Sequence, residues 1–153
     1  MYAILDIEGI QVTHDHICTR KLYILDSCGN DHEEEFVVCR DFHQLDKKFK
    51  NAYHYCRRRV HHLPYYPQRL SIPCHSSRNI VRNFIQKNGI NVILFKGGTI
   101  ERHLCEDIGV NYYDIGNIVP KVKTHDPREE VHLHMENIVM FHLEEINRII
   151  NSF

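Results

Sequence analysis

Two acids spaced two residues apart, Asp6 and Glu8, close a short apolar run, Tyr2-Ala3-Ile4-Leu5. Successive side chains of a strand point to opposite faces. An extended segment here therefore sends both carboxylates to one side and Ile7 to the other. Paired oxygen ligands on one rigid edge suit Mg²⁺ or Mn²⁺, which take carboxylate and water in preference to sulfur or imidazole. Gly9, directly after, leaves room for a close approach to the backbone. An ordinary strand ending in solvated acids has the same appearance, so Asp-x-Glu draws its weight from what accompanies it.

What accompanies it is a segregated charge pattern. The net charge is −1, yet from Lys47 to Ile100 there is no acid and there are eleven Lys and Arg. The twenty acids divide evenly, ten in residues 1–46 and ten in 101–153. The basic block includes Arg57, Arg58, Arg59 and Lys96, with Tyr53, Tyr55, Tyr65, Tyr66 and several histidines interleaved. Cations among aromatic rings suit phosphates and stacked bases, so single-stranded RNA or DNA is the partner this segment predicts. The alternative is that it neutralises the acidic flanks within the folded chain.

The elements that must position these groups follow from periodicity. A strand ends near Gly9, a second covers Arg20 to Asp26, and a third covers Glu34 to Cys39, with a turn at Ser27–Asp31. Leu45, Phe49, Ala52, Tyr53, Cys56 and Val60 recur at helical spacing from Phe42 to about Val60. Pro64, Pro67 and Pro73 make Leu63 to Ser77 a loop on the basic surface. A helix over Arg78–Lys87, a buried strand over Asn91–Phe95, a helix over Ile100–Asp107 and a short edge strand near Val110–Ile115 come next. A last helix begins between Pro127 and His132, with Val131, Met135, Ile138, His142, Ile146 and Ile149 on one face. A meander followed by alternating helices and strands predicts an α/β domain with a mixed five-stranded sheet and helices on both faces.

The chain has 153 residues, 42% of them hydrophobic and 25% charged, which fits one globular domain over 1–153. No apolar run approaches the roughly 18 residues of a membrane span, and Met1 leads straight into a strand rather than a signal peptide. A cytoplasmic or nuclear protein, not a secreted one and not a membrane protein, is the expectation. Six cysteines, spread singly, read as free thiols in such a chain.

In this order of elements, with Asp-x-Glu on the first strand, the chain resembles the DEDDh 3′–5′ exonucleases of the ribonuclease H-like superfamily. Their second motif, a small-residue turn followed by Asp in a helix and then an aliphatic residue, is matched by Lys96-Gly97-Gly98-Thr99-Ile100-Glu101 with Leu104. Glu101 stands there for Asp. Their third motif, His-x-x-x-x-Asp, is matched by His132 to Asn137, with Asn for Asp. The resemblance implies a ribonuclease H-like fold and hydrolysis of phosphodiester bonds assisted by two Mg²⁺ or Mn²⁺ ions. It makes Asp6, Glu8, Glu101 and Asn137 the metal ligands and His132 the general base.

A second register fits as well, because His125 to Glu130 is also His-x-x-x-x-acid. The residues Asp126-Pro127-Arg128-Glu129 there also read as a helix cap with proline in the first turn. Histidine and cysteine offer a further reading, structural zinc held by Cys56, His61, His62, Cys74 and His75, although none of the compact zinc spacings occurs. Two function classes therefore stand: a metal-dependent 3′–5′ exonuclease, and a nuclease-derived module that grips single strands without cutting, which the amide at Asn137 favours.

Overall fold

A computed structural model of the chain describes residues 1–122, 124 and 126–153. Its centre is a long antiparallel hairpin of β1 (Tyr2–Thr13) and β2 (His16–Asp26), paired from Ala3↔Asp26 to Thr13↔His16. β1 does not end at Gly9. The stretch Ile10-Gln11-Val12 keeps the buried, exposed, buried alternation of a paired strand. For the same reason β2 begins at His16 rather than Arg20.

The pairing register shifts between Glu8 and Gly9, as at a β-bulge. Ile10 and Val12 thereby join the same core as Leu5 and Ile7, although strict alternation would put them on the other face. At Gly9 a Cβ would lie 2.6 Å from Ile17 Cγ2 and 2.8 Å from Ile100 Cδ1. The close approach at that glycine is made by the side chains of Ile17 and Ile100.

β3 (Asp31–Val37) returns antiparallel to β2. The turn between them is closed by Asp26, whose Oδ1 accepts the N–H groups of Cys28 and Asn30 at 2.9 Å each. β5 (Val92–Phe95) lies parallel to the other side of β1, and β6 (Asn111–Asp114) parallel to β5. Among the described residues the sheet has six strands, not five, in the order β4 (Ile72–Pro73), β3, β2, β1, β5, β6. The additional strand, β4, comes from the proline-bearing segment expected to be a loop, and pairs parallel with Phe36 and Val37. Proline has no N–H to give a ladder and is tolerated at such an edge.

Helices cover both faces. α1 (Lys47–Cys56), α2 (Ser77–Asn88) and α3 (Thr99–Ile108) bring Phe49, Val81, Phe84 and Leu104 onto the face carrying Leu5, Ile7, Leu22, Ile24 and Phe36. α4 (Pro127–Asn137) and α5 (Leu143–Asn151) cover the face of Tyr2, Ile4, Tyr23, Leu25, Val92 and Leu94. The expected single last helix is interrupted by a π-helical turn over Ile138–His142. Val131, Ile138 and Ile146 stay fully buried across it, since one widened turn keeps the apolar stripe on the sheet. No helix among the described residues is long and apolar enough to cross a membrane.

Ile138 is 0% exposed at the junction of α4 with that turn, whereas its neighbour Val139 is 55% exposed. Ile138→Ala is expected to cost about 2–5 kcal/mol of unfolding free energy, through lost burial and a cavity. Val139→Ala should cost less than about 0.5 kcal/mol. Denaturant unfolding of the two variants checks the contrast.

Candidate metal centre

Asp6 and Glu8 lie in the middle of β1, on the side that carries Tyr2 and Ile4. The pairing of β5 with β1 stops at Ile4↔Leu94, so among the described residues the β1 edge beyond it has no strand partner there. A backbone N–H left unpaired in a buried place is costly. α3 supplies the acceptor: Oε1 of Glu101 receives the N–H of Ile7 at 2.9 Å. Glu101 is 3% exposed, so its carboxylate is committed to this spot. The turn before α3 has to make way for it. A Cβ at Gly98 would overlap the Glu101 carboxylate, so a larger residue there would have to push that carboxylate aside.

α4 runs across β1 and β2 on the face of Asp6 and Glu8. Its start is fixed by Asp126, whose side chain accepts the Arg128 N–H at 3.1 Å, with Pro127 in the first turn. Within that first turn Glu130 reaches the strand. One carboxylate oxygen each from Asp6, Glu8 and Glu130 lie within 4.8 Å of one another. The acid placed beside Asp6 and Glu8 is thus that of the second register. Asn137 lies seven residues on, about 10 Å farther along the helix axis. Its Oδ1 is buried with no hydrogen-bond partner among the described residues.

His132 is engaged with Tyr23, the cross-strand partner of Asp6, and is not grouped with the acids. At about 100° per residue it lies some 200° around the helix from Glu130. Its Nε2 is 2.9 Å from the Tyr23 hydroxyl, which gives its own proton to Asp31 Oδ2 at 2.7 Å. The histidine on the Glu130 side is His134, one turn on and 3% exposed, with Nε2 3.5 Å from Glu130 Oε1. His125, the histidine of the second register, lies outside the described residues.

The basic candidates lie on two separate segments. Lys96 Nζ donates to the Val119 carbonyl at 3.3 Å. Burial lowers its pKa, while the charges of Glu130 and Asp114 work the other way, which places Lys96 within electrostatic reach of the cluster. Arg57, Arg58 and Arg59 are exposed on the π-helical turn that follows α1. Their neighbour Cys56 has its pKa raised by burial and then by the charge of Glu8, so this turn begins near the acids. The five residues of the alternative zinc set do not converge. His61 is buried and accepts the Leu63 N–H through Nδ1 at 2.9 Å, while Cys74 lies with Cys18 and Cys39.

The acids stand in one another's field. Burial, then the charges of Glu130, Glu8 and Glu101, push Asp6 well above the usual carboxylate range. Glu8 is raised to about 7, by burial and then by Glu130 and Glu101. Glu101 is also raised to about 7, chiefly by burial, with the Ile7 N–H pulling the other way. Oδ2 of Asp6 and Oε2 of Glu101 are buried with no hydrogen-bond partner among the described residues. Crowded carboxylates with unclaimed oxygens fit a hard divalent cation such as Mg²⁺ or Mn²⁺.

The same crowding sets a pH dependence. Glu101 has an ordinary value of 4.5 and is held at about 7, so between those pH values the folded chain keeps a proton that the unfolded chain has released. Stability then falls as pH rises across that window, by on the order of 3 kcal/mol for this one buried group. Without added divalent ion, the melting temperature should drop between pH 5 and pH 8. Mn²⁺ should restore it at pH 8 and do little at pH 5. Glu101→Gln, which keeps an oxygen for the Ile7 N–H, should melt above the unsubstituted chain at pH 8. A melting temperature that rises from pH 5 to pH 8 would show that these acids do not oppose folding.

Comparison with models of known protein families finds no match, and neither does comparison with curated proteins. The function therefore has to be read from these side chains and their surroundings.

Proposed function

We propose that the chain is a metal-dependent 3′–5′ exonuclease of the ribonuclease H-like, DEDDh-related kind, cleaving single-stranded RNA or DNA. The observation that carries this reading is the meeting of Asp6, Glu8 and Glu130 within 4.8 Å. Glu101 lies outside that group of three but within reach of its charge, its carboxylate accepting the N–H of Ile7 between the two strand acids. Four carboxylates from three elements distant in sequence are difficult to explain as solvated surface acids, because each raises the cost of charging the others. The antiparallel meander β1-β2-β3, extended by the parallel strands β5 and β6 with helices on both faces, also agrees with the fold the resemblance implies.

Mg²⁺ or Mn²⁺ held by Asp6, Glu8, Glu101 and Glu130 would supply an activated water and offset the charge on the leaving 3′ oxygen. With Glu130 in the set, the amide of Asn137 no longer weakens the site, and the argument from it for a non-cutting module lapses. By the His-x-x-x-x-acid spacing, His125 takes over the proton-accepting role that the other register assigns to His132. Glu101 would position as well as bind, since one oxygen holds the β1 edge and the other is buried with no partner among the described residues. Lys96 and Arg57–Arg59 offer cations for the phosphates of the strand.

The test is 5′-labelled single-stranded RNA and DNA incubated with Mn²⁺, Mg²⁺ or chelator. A ladder shortening from the 3′ end only with metal is expected. Asp6→Asn and Glu130→Gln should each slow it by about 10²-fold or more, the scale of losing one group that stabilises transition-state charge. Asn137→Ala should stay within about twofold. The reverse ranking of Glu130 and Asn137 would return the site to the first register, and a mobility shift without shortening would leave a binding module.

Affinity is expected to follow the basic turn. Replacing Arg57, Arg58 and Arg59 together by Ala should lower the slope of log affinity against log salt by up to about two for a single strand. An unchanged slope would assign these arginines to balancing the acidic flanks.

A further inference from the structure

A second constellation lies away from the acids, where the β1–β2 hairpin turns. His16 and Cys18 are two apart on β2 and therefore share a face. Cys39 follows β3 by two residues, and β3 carries β4 in parallel register through Val37↔Pro73, so Cys74 comes out beside it. One ligand atom each of His16, Cys18 and Cys39 lie within 4.8 Å of one another. Cys18 Sγ and Cys39 Sγ are 2.7 Å apart, and the Cys74 thiol is close enough to both, and to His16, to interact with them electrostatically. His16 and Cys74 line one open cleft with the other two. All three thiols are free.

We propose that His16, Cys18, Cys39 and Cys74 form a Cys₃His site for one Zn²⁺ that clamps the ends of β2, β3 and β4 together. Apolar burial does not explain the cluster. Cys18 and Cys74 are buried, 1% and 8% exposed, as small hydrophobic residues often are. Cys39 and His16 are exposed, and they still converge on the same point. A disulfide would account for two thiols and leave the third, with the imidazole, unexplained. Three thiolates and one imidazole are a donor set of structural zinc, and soft sulfur ligands disfavour Mg²⁺ and Mn²⁺. Four protein ligands fill the tetrahedron, so the site holds structure and leaves no position for a substrate. On binding, the three thiols release their protons to solvent and the imidazole binds in its neutral form.

The fold has a need at this place. β4 is a two-residue strand joined to β3 by two register pairs, and the segment before it, 62–71, contains no helix or strand. So short an edge strand holds weakly by its ladder alone. A metal linking Cys18, Cys39 and Cys74 closes two long loops in the unfolded chain and ties the proline-bearing segment to the sheet.

The test is metal analysis of the full chain purified without chelator, by elemental analysis and native mass spectrometry. One zinc per chain is expected. Exchange with Co²⁺ should give thiolate-to-cobalt charge transfer and the intense visible bands of a tetrahedral site. Cys39→Ser and His16→Ala, both at exposed positions, should lose zinc or hold it at least tenfold more weakly, and melt lower. Cys28→Ser, at an exposed cysteine outside the cluster, and Asp6→Asn, in the acid site, should each keep one zinc. A chain with neither zinc nor a cobalt–thiolate band overturns the proposal. So does zinc retained undiminished in both Cys39→Ser and His16→Ala, copper or iron in zinc's place, or a Cys18–Cys39 disulfide in chain purified under reducing conditions.

Discussion

The hydrogen bond from the Ile7 N–H to Glu101 is the contact on which the arrangement of the candidate centre depends. β5 leaves β1 after Ile4, and an unpaired strand edge inside a protein has to find acceptors. Continuing β5 would supply them and also close the space. A carboxylate supplies one acceptor and leaves the space open, with a second oxygen to spare. The chain thus turns a gap in its own sheet into a place where charge can gather. Asp6 and Glu8, on either side of Ile7, are held at the rim of that gap by the strand itself.

Gathering charge there works against folding. Asp6, Glu8 and Glu101 are all pushed upward by burial and by each other, which means that the ionised, metal-free site is a destabilised one. The surrounding fold has to absorb that. The dry cores on both faces of the sheet do so, with Leu5, Ile7, Leu22 and Ile24 on one side and Ile4, Leu25, Val92 and Leu94 on the other. A site strained by its own charge and held in place by rigid packing favours whatever neutralises it. This is the physical basis for reading it as a cation site.

The strand acids were legible because two-residue periodicity is local and strict, and α3 was legible with Glu101 in its first turn. Glu130 was visible only as one of two registers, since Asp126-Pro127 accounts for those residues as a helix start. It is both things at once. The cap fixes where α4 begins, and the first turn is where that helix meets β1. Spacing within a helix carries no information about where the helix crosses a sheet, so His132 to Asn137 matched a motif while His132 faces Tyr23. The grouping of Cys18, Cys39 and Cys74 was not legible either. It depends on the β3–β4 register, and a strand of two residues beside a proline leaves no periodic trace.

The residue type at position 101 follows from the same geometry. The motif in the resembling family has aspartate there, one methylene shorter. An aspartate carboxylate on the same backbone would fall short by about 1.5 Å, the length of one carbon–carbon bond. It would not reach the Ile7 N–H. The longer side chain does, with Oε1 on the backbone and Oε2 unclaimed. Its reach is paid for at Gly98, where any Cβ would overlap the carboxylate. Glu101 and Gly98 therefore form one unit, a longer acid together with the space that admits it.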